Sequence, residues 1–186
     1  MISRIANQLN TMAITLTDLS QHLDGRNWKY KILADRQVIL TGVAGQNVDH
    51  IGIAMQLSED GEFLQFQALD LLPVKDSVFK GVIFQTLLTL NYQTKLVKFE
   101  YDPIDGEVRA AIDLPLEDGG LTSQQFERCL TYLITVVDRL AMPRLKEVLA
   151  TGNDPGQKGR GKMLAESMSP SQIALLREVF EAIQAE

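Results

Sequence analysis

Gly156, Gly161 and Lys162 stand at the spacing of a phosphate-binding loop, Gly-x-x-x-x-Gly-Lys, whose backbone amides cradle phosphate while the lysine neutralises it. Met163 occupies the place where that motif carries a Ser or Thr for magnesium. A true loop of this kind follows a buried parallel strand, whereas here a helix pattern and Pro155 come first, so the segment reads as a flexible linker. Lys158, Arg160 and Lys162 in the same stretch could meet an acidic partner or nucleic acid, but a solvated linker accounts for them more simply.

Other titratable residues are scattered. His22 and His50 fall in separate elements with no cysteine pair and no His-x-x-x-His spacing, which argues against a metal site. Asp102, Asp105, Glu117 and Asp118 could pair as acid and base or hold a cation. Each stands in a turn-rich context where Asp is expected to bond its own backbone, and no base or oxyanion donor accompanies them. Cys129 lies within a helical pattern and reads as a small core residue, not a reactive thiol. Catalysis and a bound cofactor are therefore not expected.

The elements around these residues are well patterned. With 186 residues, 45% of them hydrophobic and 23% charged, the chain can bury a proper core. A net charge of −6 argues against general affinity for nucleic acid or an anionic membrane. The single cysteine excludes an intrachain disulfide and fits a reducing compartment, so a cytoplasmic location is expected. No stretch reads as a membrane span or a signal h-region.

Ile2, Ile5, Leu9, Met12 and Leu16 recur at helical spacing, and that helix is expected to end near Asp24-Gly25. Trp28, Tyr30 and Ile32 then alternate with Lys29 and Lys31, as in a strand with one wet face. Val38 to Val43, Ile51 to Leu57 and Phe63 to Leu69 continue an antiparallel meander through a turn at Asp60-Gly61, and Pro73 marks its exit. A helix over roughly Ser77 to Asn91 is apolar around most of its circumference, so it needs cover on two sides. The second cover must be the long C-terminal helix, the tail after Ser169 or another chain.

Val97 to Tyr101 and Val108 to Leu114 form a hairpin around Asp105-Gly106. Thr122 and Gln125 make a capping box, with Leu121 and Phe126 as its hydrophobic staple, at the start of a long helix that Pro143 must break or kink near Ala141-Met142. Ser169, Pro170 and Gln172 open a last helix whose stripe is Ile173, Leu176, Phe180 and Ile183. The organisation is an α+β domain over 1–150, a linker over 151–168 and a C-terminal helix over 169–186.

This order, and the segments Leu90-Asn91-Tyr92, Lys98-Phe99-Glu100-Tyr101-Asp102, Asp105-Gly106, Leu114-Pro115, Leu121-Thr122 and Val136-Val137-Asp138, resembles the YbjN-like family, related in fold to the type III secretion chaperones. The resemblance covers roughly residues 2 to 150, and the linker and last helix depart from it. It implies an α+β fold, an antiparallel sheet of meander plus hairpin packed on helices in the order α-β-β-β(-β)-α-β-β-α with an extra C-terminal helix. It further implies a small, acidic, often dimeric protein that binds other proteins and carries no catalytic residues.

The function expected is therefore chaperone-like, a homodimer burying an apolar segment of a partner protein. The alternative is a structural or regulatory subunit attached to a larger assembly through its C-terminal helix. The residues singled out for partner binding are Ile173, Leu176, Phe180 and Ile183 on that helix, and Trp28 and Tyr30, which could face a peptide added at the sheet edge or simply cover the core.

Overall fold

The computed structural model describes residues 13–117, 120–156 and 169–184, with backbone alone at 176, 179, 180 and 182–184. The chain is α+β. Helix α1 (Leu16–Asp24) leads into β1 (Tyr30–Leu33), β2 (Val38–Val43), β3 (Ile51–Ser58) and β4 (Phe63–Pro73). Then come α2 (Lys80–Gln93), β5 (Lys98–Tyr101), β6 (Glu107–Pro115), α3 (Ser123–Thr135), α4 (Met142–Thr151) and α5 (Pro170–Gln184). The six strands form one antiparallel sheet in the order β1-β2-β3-β4-β6-β5.

Alternation in the strands decides where the core lies. Ile53, Met55, Leu64, Phe66, Ala110 and Ile112 turn inward and meet Leu19 and Leu23 of α1 and Phe126, Leu130 and Leu133 of α3 in one buried cluster. The rings of Phe66 and Phe126 lie 5.5 Å apart, edge to face. The alternate residues carry a polar ladder: Gln65 donates to Asp113 at 2.6 Å, Lys98 pairs with Asp113 at 2.5 Å, and Arg109 pairs with Glu100 at 2.9 Å.

The capping box expected at Thr122 forms, whereas α1 starts only at Leu16 behind an extended Thr15, so Leu16 opens this helix and does not continue a stripe from Ile2. Thr15 with Asp18, and Thr122 with Gln125, form reciprocal capping boxes that satisfy the first amides of α1 and α3. Helix α1 ends at Asp24 with Gly25 as cap, while the stripe residues Ile2, Ile5, Leu9 and Met12 lie outside the described residues.

Other boundaries also differ from expectation: β1 starts at Tyr30, and α2 runs from Lys80 to Gln93. Strand β4 does not stop at Leu69, because the register shifts between Ala68 and Leu72 around Asp70, at φ 51°, whose N–H donates to Glu107. The shift lets the strand resume as far as Pro73, opposite Glu107. At Pro143 the α-helical pattern is interrupted as expected: α3 ends at Thr135, the chain widens into a π-helical stretch over Val136–Ala141, and α4 begins at Met142, so the π turn absorbs the hydrogen bond that the proline cannot make.

That widened turn carries the buried Asp138, whose carboxylate accepts the N–H groups of Gln46 at 3.0 Å and Asn47 at 2.8 Å in the β2–β3 loop. Burial alone would push this carboxyl up, but the backbone donors of Asn47, Gln46 and Val48 outweigh it and hold it below the usual range. Gly45 is required here, since a Cβ would overlap the carboxylate.

Candidate partner-binding surface

Helix α2 buries one face in the core and leaves apolar side chains exposed on another. Ile83, Leu87 and Leu90 enter the core, while Phe84 packs tilted against Tyr101 with ring centroids 4.7 Å apart and Lys80 lies over the Tyr101 ring. Asn91 faces the outer edge of β5, where its side-chain NH2 donates to the Phe99 carbonyl at 3.2 Å and its oxygen accepts the Phe99 N–H at 2.7 Å. One amide side chain thus takes the place of a seventh strand at that edge.

The flank toward α4 is closed by a buried ion pair. Arg144 makes two bonds to Asp154, Nε to Oδ1 at 3.0 Å and Nη2 to Oδ2 at 2.7 Å, and its Nη1 donates to Gln93 of α2 at 2.9 Å. Asp154 also accepts the Gly156 N–H at 2.8 Å. Burial would raise this carboxyl, but Arg144, the Gly156 amide and Thr86 prevail and hold it low. Gly156 is the first glycine of the apparent phosphate-binding loop, and its role is steric, because a Cβ would overlap the Arg144 guanidinium. Gly161, Lys162, Lys158 and Arg160 lie outside the described residues.

With those sides occupied, one stripe of α2 faces outward. Leu88 is 69% and Tyr92 80% exposed, one helical turn apart, and with Gln85 and Thr89 they line a shallow depression. Large apolar side chains this exposed on a rigid helix mark an interaction surface more often than chance, especially where they adjoin. Continuation of the long helix into α4 supplies one cover for α2, while Leu88 and Tyr92 stay mostly exposed.

Trp28 precedes β1 and is half-buried against the core with the Arg26 guanidinium over its ring, 5.4 Å from the centroid. Tyr30 is also half-buried, and its hydroxyl donates to Asp24 at 2.9 Å. Both rings therefore cover the core beneath α1. On α5, Ser169 and Gln172 form the expected cap, Ile173 is 40% exposed and Leu175 62% exposed. The side chains of Leu176, Phe180 and Ile183 lie outside the described residues.

The residues that could have done chemistry are accounted for locally. Asp102 accepts from the Ile104 N–H and Asp105 from the Glu107 N–H, each at 2.8 Å, as turn residues do. Glu117 is exposed at φ 47°, and Asp118 is outside the described residues. His22 stacks on Phe126 at 4.6 Å, and burial lowers its pKa. Cys129 is buried, which pushes its thiol up. Among the described residues no three His, Cys, Asp or Glu side chains converge to hold a metal, and no helix is long and apolar enough to cross a membrane.

Residues 15–142, more than half of the chain, match the family YbjN, described as "Putative bacterial sensory transduction regulator". The chain belongs to the YbjN family. The crystal structure of YbjN from E. coli superposes with a TM-score of 0.54 at 15% identity, covering 74% of this chain and 95% of that one. A chain of the HopA1-SchA chaperone-effector complex gives a TM-score of 0.51 at 16% identity, covering 68% and 91%. A chain of the ExsC-ExsE complex gives 0.49 at 21%, covering 69% and 97%. At such identities the likeness is one of fold, and no curated protein sequence matches.

Asn91 and Tyr92 belong to the segment that carries the YbjN resemblance, but their separate roles, one sealing a strand edge and one facing outward, could not be read from spacing. Arg144 and Asp154 gave no signal at all, since ten residues separate them and a helix end intervenes.

Proposed function

We propose that this chain is a non-catalytic, chaperone-like protein-binding module that buries an apolar segment of a partner on the Leu88–Tyr92 stripe of α2. The observation that carries the reading is a pair of adjoining, mostly exposed apolar side chains on a helix whose other sides are fixed by the core, the β5 edge and the Arg144–Asp154 pair. A rigid platform loses little entropy on binding, so even a small apolar contact yields affinity. The chaperone-effector complex among the structures of similar fold supports the same reading, as does membership of a family of regulators. The acidic charge disfavours polyanions as partners, and the single buried cysteine fits a reducing, cytoplasmic setting.

A second reading makes the chain a subunit of a larger assembly gripped through α5, favoured by the exposed Ile173 and Leu175. Capture from native lysate with the wild type, a Leu88→Glu/Tyr92→Glu variant and an Ile173→Glu variant separates the two. Partners lost only from the α2 variant support the first reading. Partners lost only from the α5 variant support the second, and a set unchanged by the α2 variant sinks the first.

A further inference from the structure

Two connections meet at the end of the sheet where β4 finishes and β6 begins. Val74, just beyond β4, donates its N–H to the Gly106 carbonyl at 3.3 Å, and the Lys75 ammonium donates to the Ile104 carbonyl at 2.9 Å. Gly106 lies so close to Lys75 that a Cβ there would overlap it, so the β4–α2 connection and the β5–β6 turn form one fixed surface. The Phe79 ring is held in the same way, packed on Gly152.

Apolar side chains on this fixed surface nevertheless stay in water. Val78 is 89% and Ile104 82% exposed, and two depressions open alongside, meeting at Pro73. One, of 440 Å³, is walled by Val78, Phe79 and Leu149. The other, of 330 Å³, is lined by Leu72 and Pro73 together with Asp70, Asp105 and Glu107. No lysine or arginine lines it, and none of its three carboxylates is in an ion pair among the described residues. Lys75, which packs beside Gly106, directs its ammonium to a neutral carbonyl.

An apolar depression adjoining an acidic one selects a particular pair of side chains. Arginine lays its aliphatic stem along apolar surface and presents a planar fork of donors that matches carboxylates. We propose that this end of the sheet docks a segment of a partner protein in which an arginine adjoins a large aliphatic residue. The arginine enters among Asp70, Asp105 and Glu107, and the aliphatic side chain lies against Val78, Phe79 and Leu149. The Pro73 wall common to both depressions keeps the two anchors within a few residues of each other along the segment. None of these residues belongs to the Leu88–Tyr92 stripe, so failure here leaves the reading of that stripe standing.

The test measures the fluorescence anisotropy of three labelled synthetic peptides of equal length with the purified full-length chain. In one arginine alternates with leucine, in another glutamate with leucine, and in the third arginine with serine. The arginine–leucine peptide is expected to bind at least about 10-fold more tightly than either of the others, since it alone offers both anchors. Val78→Ser removes exposed apolar surface, and Asp70→Asn removes one charge while keeping a residue suited to its left-handed backbone. Each should weaken that binding at least about 3-fold. Asp60→Asn makes the same change on a left-handed backbone at the other end of β4, about 30 Å away, and should alter nothing. Circular dichroism checks that each variant folds. The proposal is overturned by the absence of saturable arginine–leucine binding, or by equal binding of either other peptide. Wild-type affinity in Val78→Ser or Asp70→Asn, or a loss in Asp60→Asn matching that in Asp70→Asn, overturns it as well.

Discussion

Replacing Asp154 by Ala should be among the most damaging single substitutions in the domain, although the residue lies beyond the last helix of the core. Its carboxylate is buried, and it supplies both acceptors to Arg144 and one to the Gly156 amide. Among the described residues, removal leaves the buried Arg144 bonded through Nη1 to Gln93. Breaking a buried pair from one side costs about 3–5 kcal/mol, and the surviving Gln93 bond places this case near 3. In urea, at a slope of about 2 kcal/mol/M, the midpoint should fall by about 1.5 M. The melting temperature should fall by about 6–12 °C for a protein of this size.

The pH dependence follows from the depressed carboxyl. A group whose folded pKa lies below its unfolded value, about 3.9 for Asp, contributes its full stabilisation above that value. The contribution is lost as pH falls through the folded pKa, so wild type and Asp154→Ala should converge in stability on acidification below about 4. Arg144→Met/Asp154→Leu should recover most of the loss, because an apolar pair leaves no charge unpaired. A single-variant loss below about 1 kcal/mol, the range of surface pairs, would refute the argument. So would a double variant no more stable than the single.

Two further substitutions probe separate parts of the design. Asn91→Ala removes both bonds to the Phe99 backbone and should cost about 1–3 kcal/mol in chemical denaturation. It should also open the β5 edge, seen as concentration-dependent light scattering absent from the wild type. His22 has a folded pKa lowered by burial, with Asp18 opposing it, so charging it opposes folding and stability should drop as pH falls through about 6.5. In His22→Gln that slope between about pH 5 and 7 should flatten, and an unchanged slope would show that another group titrates there.

Much of the framework was legible before any coordinates. The turn at Gly106, the capping boxes at Thr122 and Ser169 and the end of α1 at Gly25 all follow from contacts within a few residues, which is why spacing reveals them. The bulge at Asp70 was not legible, because it answers to Glu107 on another strand. Nor was the π turn at Val136–Ala141, because Asp138 within it is satisfied by a loop some ninety residues earlier.

For the binding surface the division is sharper. The sequence by itself determined that the helix ending near Tyr92 is apolar on too many sides for one cover, because hydrophobic composition and the helical period are local properties of the chain. It could not say which side stays open. Only the tertiary structure decided that, by sending Asn91 to the edge of β5 and bringing Asp154 back onto Arg144 beside Gln93. The physical reason is that a hydrogen bond or ion pair between distant residues depends on where folding brings their backbones, and no pattern along the chain encodes that meeting directly.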